Sequence, residues 1–499
     1  MTRSGPLNED NFDRRELIRR GTGAALALGG ASTLWPVVSA RATGDRRLAA
    51  LARELDGDLV IRGGRGYAQA RLLWNARFDT VRPLAIAYAQ TTADLRSIIR
   101  WAARYDMPLA IRSGGHSFAG YSTTKGLVAD LSRLSTVELT GETATVEAGA
   151  RLGSVYQKLW DAGRVVPFGS CLTVGVSGLT LGGGHGFSSR ALGLACDNLM
   201  GLEIVTATGR VLRSDDRDHP DLFWALRGAG AGSFGIVTKL SFRTHPVANV
   251  TTVNLRWAWS QAHEVVRAWQ AFAPTAPDAL SCVLSLRPST GEETPLVALN
   301  GQVFADRAQA LALLGPLTDA VEPTKVSAVQ RPFIVAVQYF GGGEPSHRSY
   351  AAKSNYALSL LSDEALDVVV GAVEAAAGDP RLASAAILLS ANGGAINRVD
   401  RDATAFFHRD ALFFIRYTSF WDASAGAATE SANLSWVRGV YDSMRPHVSR
   451  GAVANYVDPD LEDWGSAYYG SHLRRLVRVK RRYDRGDFFR FPQSIPTRV

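Results

Sequence analysis

Long apolar runs and cysteines are scarce in this chain of 499 residues, whose three cysteines are Cys171, Cys196 and Cys282. No apolar run reaches the roughly 20 residues that a membrane-spanning helix needs. The cysteines lack C-x-x-C spacing, and G-x-S-x-G, H-E-x-x-H and Walker A sequences are missing. We therefore expect a globular protein without a metal site, and a mature chain without stable membrane association.

Positive charge is in modest excess and is spread along the chain. Lys and Arg number 55 against 47 Asp and Glu, which gives a formal net charge of +8. The richest basic segment, Arg474 to Arg482, alternates with apolar residues and predicts an amphipathic helix. Nucleic-acid-binding proteins usually concentrate their charge on one element, so no nucleic-acid partner is expected.

The first 42 residues have the pattern of an export signal. Arg14 and Arg15 form a twin-arginine pair, a mildly apolar stretch follows from Gly21 to Trp35, and residues 38–42 offer small-x-small cleavage sites. This predicts a twin-arginine signal peptide over residues 1–42, engagement of the twin-arginine export machinery and a secreted protein. An ordinary helix with a chance arginine pair is the alternative.

The pattern of predicted strands and helices changes near residue 246. Before it, short β-rich segments alternate with helices, and Leu109–Arg112 reads as a strand that runs directly into Ser113. After it, longer strands such as Thr251–Trp257 alternate with longer helices, which predicts an antiparallel sheet covered by helices in an α+β fold.

The segment Arg112-Ser113-Gly114-Gly115-His116-Ser117 follows that strand. Consecutive glycines let the backbone approach a ligand closely and present N–H groups to an anion such as a pyrophosphate. His116 is then placed to meet whatever group follows the phosphates. A turn with an incidental histidine explains the segment equally well.

The densest glycine block runs from Gly169 to Gly186 and contains Cys171. Each glycine weakens a regular element by roughly 0.5–1 kcal/mol, so a large bound cofactor would supply a compensating interaction. Interleaved Val, Leu and Thr residues disfavour a flexible linker. Because the cysteine count is odd, one thiol stays outside intrachain disulfides, and in an oxidising compartment it must be buried or chemically occupied.

A G-x-G-x-x-G sequence at Gly230, Gly232 and Gly235 does not predict a Rossmann NAD site. That fingerprint requires a strand before it and a helix after it. Here residues 221–226 read as a helix and residues 235–242 as a strand, which is the reverse order.

Taken together, these segments resemble the berberine-bridge-enzyme-like, FAD-linked oxidases of the vanillyl-alcohol-oxidase superfamily. The resemblance covers nearly the whole chain after the signal. The matching segments are residues 112–116, 169–186, 197–198, 221–228, 232–238, 393–396, 455–458 and 493–496. It implies a PCMH-type FAD-binding domain of two α+β subdomains, formed by residues 43–245 and 450–499, around a substrate-binding domain of residues 246–449.

The resemblance also implies a bicovalent FAD. In such proteins the histidine of R-S-G-G-H is bonded to the flavin 8α-methyl group and the cysteine of G-x-C to flavin C6, which correspond here to His116 and Cys171. Further cofactor-binding residues are implied at Arg112, Ser113, Gly114, Gly115, Ser117, Gly169, Thr173, Val174, Gly175, Ser177, Gly178, Gly182, Gly235, Ile236, Val237 and Asn455.

For catalysis, the resemblance implies Tyr456 as the base that deprotonates the substrate hydroxyl. His185 stands where sugar-oxidising relatives carry Tyr, and it is either an assisting proton acceptor or a structural residue. Val174 matches a small residue associated with oxygen access. Leu179 departs from the histidine of plant members, while His472 and Arg485 depart from the C-terminal signature without an expected catalytic effect.

The resemblance therefore implies an oxidase that transfers a hydride from an alcohol, a sugar or secondary-metabolite hydroxyl, to FAD and reduces O2 to H2O2. A flavin dehydrogenase is one alternative, separable by oxygen consumption. An oxidative cyclase is another, separable by its product. A non-catalytic secreted binding protein would lack the yellow cofactor.

Overall fold

Three principal β-sheets follow one another along the described part of the chain. The computed structural model describes residues 45–247, 249–289, 295–341 and 347–498. The predicted export signal over residues 1–42 lies outside the described residues. Within the described ranges, no helix is long and apolar enough to cross a membrane.

The R-S-G-G-H segment lies at one edge of the first sheet. The strands of this sheet are β1 (Asp58–Ile61), β2 (Ala85–Tyr88), β3 (Leu109–Arg112) and β4 (Leu127–Asp130), in the order β1-β2-β4-β3. β2, β4 and β3 are parallel, whereas β1 is antiparallel to β2. Because β3 ends at Arg112, the residues from Ser113 to Ser117 emerge at the carboxyl edge of the parallel strands.

The second sheet has five antiparallel strands, in the order β5-β6-β10-β8-β9, and a two-stranded ladder joins β7 to β11. The strands of this region are β5 (Val137–Thr140), β6 (Thr143–Glu147), β7 (Arg164–Val165), β8 (Leu199–Val205), β9 (Val211–Asp215), β10 (Ile236–Arg243) and β11 (His245–Pro246).

The third sheet has seven antiparallel strands in the order β15-β12-β14-β13-β17-β18-β16. They are β12 (Asn249–Trp257), β13 (Leu280–Arg287), β14 (Leu296–Val303), β15 (Lys325–Pro332), β16 (Arg348–Ala357), β17 (Ala386–Ala391) and β18 (Phe413–Asp422).

The two faces of this sheet have different chemistry because strand side chains alternate. One face presents Leu284, Ile387 and Ile415 to the helices Ala262–Phe272, Asp363–Ala376 and Gly426–Met444. Full burial of each such side chain contributes roughly 1.5–3 kcal/mol. The other face, which we call the inner face, bears Tyr350, Phe414 and Arg416 and faces the first sheet, because Tyr350 contacts Trp74.

The remaining helices connect the strands. They are Arg46–Glu54, Tyr67–Ala70, Thr92–Arg104, Leu152–Asp161, Val176–Leu181, Ser189–Leu192, Pro220–Leu226, Arg307–Ala320, Phe333–Gly341, Ala395–Arg398, Trp464–Tyr469 and Leu473–Tyr483. Short 3-10 helices occur at Ala76–Phe78, Ala195–Asn198, Trp259–Gln261, Pro380–Leu382, Arg401–Ala403, Arg445–His447, Ala454–Tyr456 and Gly470–His472.

The predicted α+β class, with an antiparallel sheet covered by helices, is confirmed. Helix Pro220–Leu226 precedes the G-x-G-x-x-G segment and β10 follows it, so the order that excludes a Rossmann fingerprint is also confirmed. The glycine block differs from expectation, since it contains the helix Val176–Leu181 and much of its close packing is against the protein itself.

Candidate active site

Two glycine-containing loops pack directly on each other beside the end of β3. A Cβ atom on Gly114 would lie 2.2 Å from the backbone nitrogen of Gly175, and one on Gly175 would lie 2.1 Å from Ser113 Oγ. Ser113 Oγ and Ser177 Oγ both donate to the carbonyl of Ala148, at 2.6 and 2.8 Å. Glycine is therefore required where the loops meet.

This packing brings His116 and Cys171 to the same hydroxyl group. His116 Nε2 lies 2.9 Å from Thr173 Oγ1, and Cys171 Sγ lies 3.8 Å from the same oxygen. The His116 ring also stacks on Trp74, with centroids 4.7 Å apart. The backbone carbonyl of His116 accepts a hydrogen bond from the Tyr350 hydroxyl at 3.2 Å. The side chains of His116 and Cys171 are thus neighbours, although the residues lie in different loops.

Burial, and secondly the positive charge of Arg151, lower the pKa of His116 to about 3. A charged imidazolium would lose its hydration in this position without gaining an acidic partner. His116 is therefore a neutral imidazole near pH 7, with a lone pair on one ring nitrogen.

Arg112 lies at the base of the same loop and is buried. It is 3.6 Å from Asp130 and donates 2.6 Å to the carbonyl of Ala70. Its Nη2 atom is buried and has no hydrogen-bond partner among the described residues. A buried guanidinium nitrogen without a protein acceptor suits an anionic ligand such as a phosphate.

Tyr456 lies at the end of the 3-10 helix Ala454–Tyr456. The side chain of Asn455, in the same helix, binds to the glycine block. Asn455 Nδ2 donates 3.0 Å to the carbonyl of Leu179, and Asn455 Oδ1 accepts from the backbone N–H of Gly184 at 3.1 Å. Gly182 packs against the Asn455 amide so closely that a Cβ atom would lie 2.5 Å from Nδ2.

Aromatic rings and a cation are neighbours of the Tyr456 ring. Its centroid is 5.2 Å from that of Phe118 and 6.0 Å from that of Phe414. The guanidinium carbon of Arg416 is 4.9 Å from the ring centroid. A cation over an aromatic face is attracted by the ring, and here it lies beside a phenol on the inner face of the large sheet.

Family models match two parts of this chain. Residues 83–215 match the family model described as an FAD binding domain, and residues 452–496 match the model described as berberine and berberine like. An FAD-linked oxidoreductase of Bacillus subtilis strain 168, YgaK, is 35% identical over 453 residues, which cover 89% of this chain and 97% of that protein. This chain belongs to the berberine bridge enzyme-like family. It is an FAD-linked oxidoreductase.

Two further relatives extend the comparison. The chitooligosaccharide oxidase of Gibberella zeae is 29% identical over 458 residues, with coverage of 87% of this chain and 91% of that enzyme. The structure of berberine bridge enzyme-like protein 1 from Physcomitrella patens has a TM-score of 0.83 and 29% identity, and it covers 91% of this chain and 99% of that one.

In this berberine bridge enzyme-like protein, His185 and Tyr456 both contact the ring of Phe414. The ring centroid of His185 is 5.1 Å from that of Phe414, and its Nε2 atom is 3.4 Å from the carbonyl of Ala391. Burial lowers its pKa to about 4, the Ala391 carbonyl raises it and the charge of Arg190 lowers it. Its imidazole is therefore neutral near pH 7.

Not every predicted cofactor residue lies beside this cluster. Gly235 precedes β10 and packs on the carbonyl of Val205, while Ile236 and Val237 are buried in the core of the second sheet. Among the departures from the family pattern, Leu179 supplies its carbonyl to Asn455. His472 is buried, 2.9 Å from Asp402 Oδ1, in a structural setting.

Sequence reasoning missed several residues of the site, namely Trp74, Phe118, Tyr350, Phe414 and Arg416. Trp74 and Phe118 lie in loops without a diagnostic pattern. Arg416 could have been found from the sequence. The alternation of β18 (FFIRYTSFWD) places its side chain on the other face of the sheet from the apolar Ile415 and Tyr417.

Proposed function

We propose that this oxidoreductase oxidises an alcohol with an FAD attached through His116 to the flavin 8α-methyl group and through Cys171 to flavin C6. The observation that carries the proposal is the shared contact of His116 and Cys171 with Thr173. Two residues that bond to one flavin ring must be close neighbours, and a neutral imidazole such as His116 retains the lone pair that bond formation needs.

The cofactor site extends along the two packed loops. The buried Nη2 of Arg112 is available to a phosphate oxygen. Gly178 has no atom within 4 Å of an added Cβ, so this part of the helix Val176–Leu181 leaves space. When bound, FAD would accept the hydride of the substrate and pass its electrons to oxygen.

Tyr456 accepts the hydroxyl proton of the substrate in this proposal. Removing that proton as the hydride leaves the carbon converts the alcohol into a carbonyl compound, and the two electrons with two protons reduce O2 to H2O2. The guanidinium of Arg416, 4.9 Å from the ring centroid, places a positive charge beside the ring of this proposed base. His185 would assist as a neutral proton acceptor.

Oxidation by O2 is favoured over the dehydrogenase alternative by Val174 and by a relative. The backbone N–H of Val174 donates to the carbonyl of Cys171 at 3.3 Å, which holds this small side chain beside the proposed flavin attachment. The Gibberella zeae relative is a chitooligosaccharide oxidase. Oxygen uptake and stoichiometric H2O2 would exclude a dehydrogenase, and product analysis would separate simple oxidation from oxidative cyclisation.

The domain organisation and export remain part of the proposal. The FAD-binding domain comprises residues 43–245 and 450–499, and the substrate-binding domain comprises residues 246–449, with the substrate between them. The twin-arginine signal directs the folded protein to secretion. Replacement of Arg14 and Arg15 by Lys should retain the protein inside the producing cells.

Peptide mass spectrometry of the denatured holoprotein tests the cofactor assignment. We expect one flavin that links the His116 and Cys171 peptides, a link to His116 alone in Cys171→Ala, and an unchanged double link in the control Cys282→Ala, a buried core cysteine. Absence of flavin from both peptides of the wild-type holoprotein would refute the proposal.

A further inference from the structure

Arg287 of β13 and Arg416 of β18 lie on the inner face of the seven-stranded sheet. Ser285 of β13 is opposite Leu388 of β17, and Leu388 is opposite Arg416 of β18. Arg287 lies two residues beyond Ser285, so its side chain leaves the sheet on the same face as Arg416. Arg287 and Arg416 are therefore separated by two strand spacings across the sheet and by two residues along the strand direction. These distances place their Cα atoms roughly 12 Å apart, so both side chains can reach one small ligand.

Neither guanidinium has an acidic partner among the described residues. Other buried arginines are compensated in two ways: Arg112 and Arg409 pair with Asp130 and Asp197, whereas Arg190 donates to four backbone carbonyls. No described Asp or Glu forms an ion pair with Arg287 or Arg416. The Nε atom of Arg416 is also buried without a described hydrogen-bond partner.

Arg287 is open to solvent although protein atoms surround part of its side chain. Its side chain is exposed, yet burial among protein atoms and secondly the charge of Arg416 lower its pKa. Two like charges that share a face repel each other. A bound anion would relieve that repulsion and supply acceptors for both guanidinium groups.

We propose that the substrate carries an anionic oxyacid group, a carboxylate or a phosphate, which Arg287 and Arg416 bind on the inner face of the large sheet. This rests on the proposed function, because it places the oxidised hydroxyl of the same molecule beside Tyr456. Arginine suits either anion, since its planar fork donates two parallel hydrogen bonds. The arginine pair thereby selects hydroxylated acids or phosphorylated alcohols over neutral alcohols.

Substitution of Arg287 distinguishes anion binding from activation of Tyr456. Arg416 contacts the Tyr456 ring, so its replacement could act through the base alone. The described contacts of Tyr456 do not include Arg287. An effect of Arg287 on ligand charge preference therefore reports anion binding rather than activation of the tyrosine.

Three probes that share a phenyl ring test the proposal by isothermal titration calorimetry of the purified holoenzyme. They are benzoate, phenyl phosphate and the neutral benzamide. The variants are Arg287→Gln, Arg416→Gln and the charge-preserving Arg416→Lys, with Arg243→Gln as a matched control, an exposed arginine at the end of β10. The phenyl ring suits the aromatic surroundings of Tyr456.

We expect one of the two anions to bind at least tenfold more tightly than benzamide, and its identity distinguishes the carboxylate from the phosphate source. Arg287→Gln and Arg416→Gln should each remove most of this preference without changing the affinity for benzamide. Arg416→Lys should retain part of it, and Arg243→Gln should retain all of it. Added salt should weaken only anion binding.

Equal affinity for benzamide and both anions would overturn the inference, as would a full preference in Arg287→Gln. The result is independent of turnover. A protein that oxidises a neutral alcohol but shows no anion preference would disprove the anion subsite alone. A protein that prefers anions but has no alcohol-dependent flavin reduction would disprove only the proposed function.

Discussion

The ammonium group of Lys353 lies 2.7 Å from a carboxylate oxygen of Asp458, and both side chains are buried. Asp458 follows Tyr456 by two residues. Its backbone N–H donates to the Tyr468 hydroxyl at 2.8 Å, and its carbonyl accepts from Gln493 Nε2 at 2.7 Å. Because Lys353 belongs to β16, this ion pair joins the loop of the candidate base to the large sheet.

Lys353→Met should therefore destabilise the protein and displace Tyr456. Burial raises the pKa of Asp458, and the charge of Lys353 lowers it, so the carboxylate depends on the lysine. Breaking a buried ion pair from one side costs about 3–5 kcal/mol, measurable as the free energy of unfolding in urea. Lys325→Met, on the exposed edge strand β15, should change it by less than about 0.5 kcal/mol. Equal losses in both variants would contradict this account.

Tyr456→Phe should lower kcat/KM by roughly 10²–10⁴, the usual contribution of a general base. The substitution removes only the hydroxyl group, so the contacts of the ring with Phe118 and Arg416 remain and the flavin content should be unchanged. Tyr339→Phe, at an exposed tyrosine, serves as the control and should be fully active. Retention of wild-type activity by Tyr456→Phe on a good substrate would refute the assignment of the base.

Local features of this site were predictable because each is encoded in one short segment. The strand Leu109–Arg112 and the glycines behind it follow from β propensity and backbone freedom, and the structure has β3 at those residues. Trp74 and Tyr350 were not predictable in this way. Their contacts with His116 arise from the packing of distant segments, which local pattern does not encode.

Strand β16 (RSYAAKSNYA) shows why part of the large sheet is hard to recognise from the sequence. It is buried along most of its length although it contains Lys353 and Asn355. These polar side chains break the expected apolar alternation, and they have tertiary partners: Asp458 accepts from Lys353, and the carbonyl of Ser449 accepts from Asn355 Nδ2. A single sequence does not reveal such partners.

Gly175→Ala should disrupt the contact between the two glycine loops. Its Cβ atom would meet Ser113 Oγ at 2.1 Å and Gly114 N at 2.3 Å, so the loops must separate, at a cost of about 1–3 kcal/mol. The yield of covalent flavin should fall, because His116 and Cys171 lie on opposite loops. Gly371→Ala, in a helix with no atom within 4 Å of the new Cβ, should leave covalent flavin unchanged and stabilise the protein by up to about 1 kcal/mol. A normal flavin yield in Gly175→Ala would contradict the role given to this contact.

Buried histidines should make the protein less stable in mild acid. His408 stacks on Tyr356 with centroids 4.1 Å apart and bonds to the carbonyl of Ala467 at 2.8 Å. Burial lowers its pKa from 6.5 to about 4. Between these values the unfolded chain binds a proton that the folded protein excludes, so the contribution of His408 is complete above pH 6.5 and is lost as the pH falls toward 4. The contribution of His408 to the slope of the unfolding free energy against pH reaches about 1.4 kcal/mol per pH unit.

Urea denaturation of wild type and His408→Gln at several pH values between 4.5 and 6.5 tests this. The variant should show a shallower dependence of its unfolding free energy on pH, by up to about 1.4 kcal/mol per unit. Any loss of packing lowers its stability at every pH and leaves the slope alone, so the slope reports titration specifically. Parallel curves for the two proteins would mean that His408 is protonated alike in the folded and unfolded chains, and burial would then not control its charge.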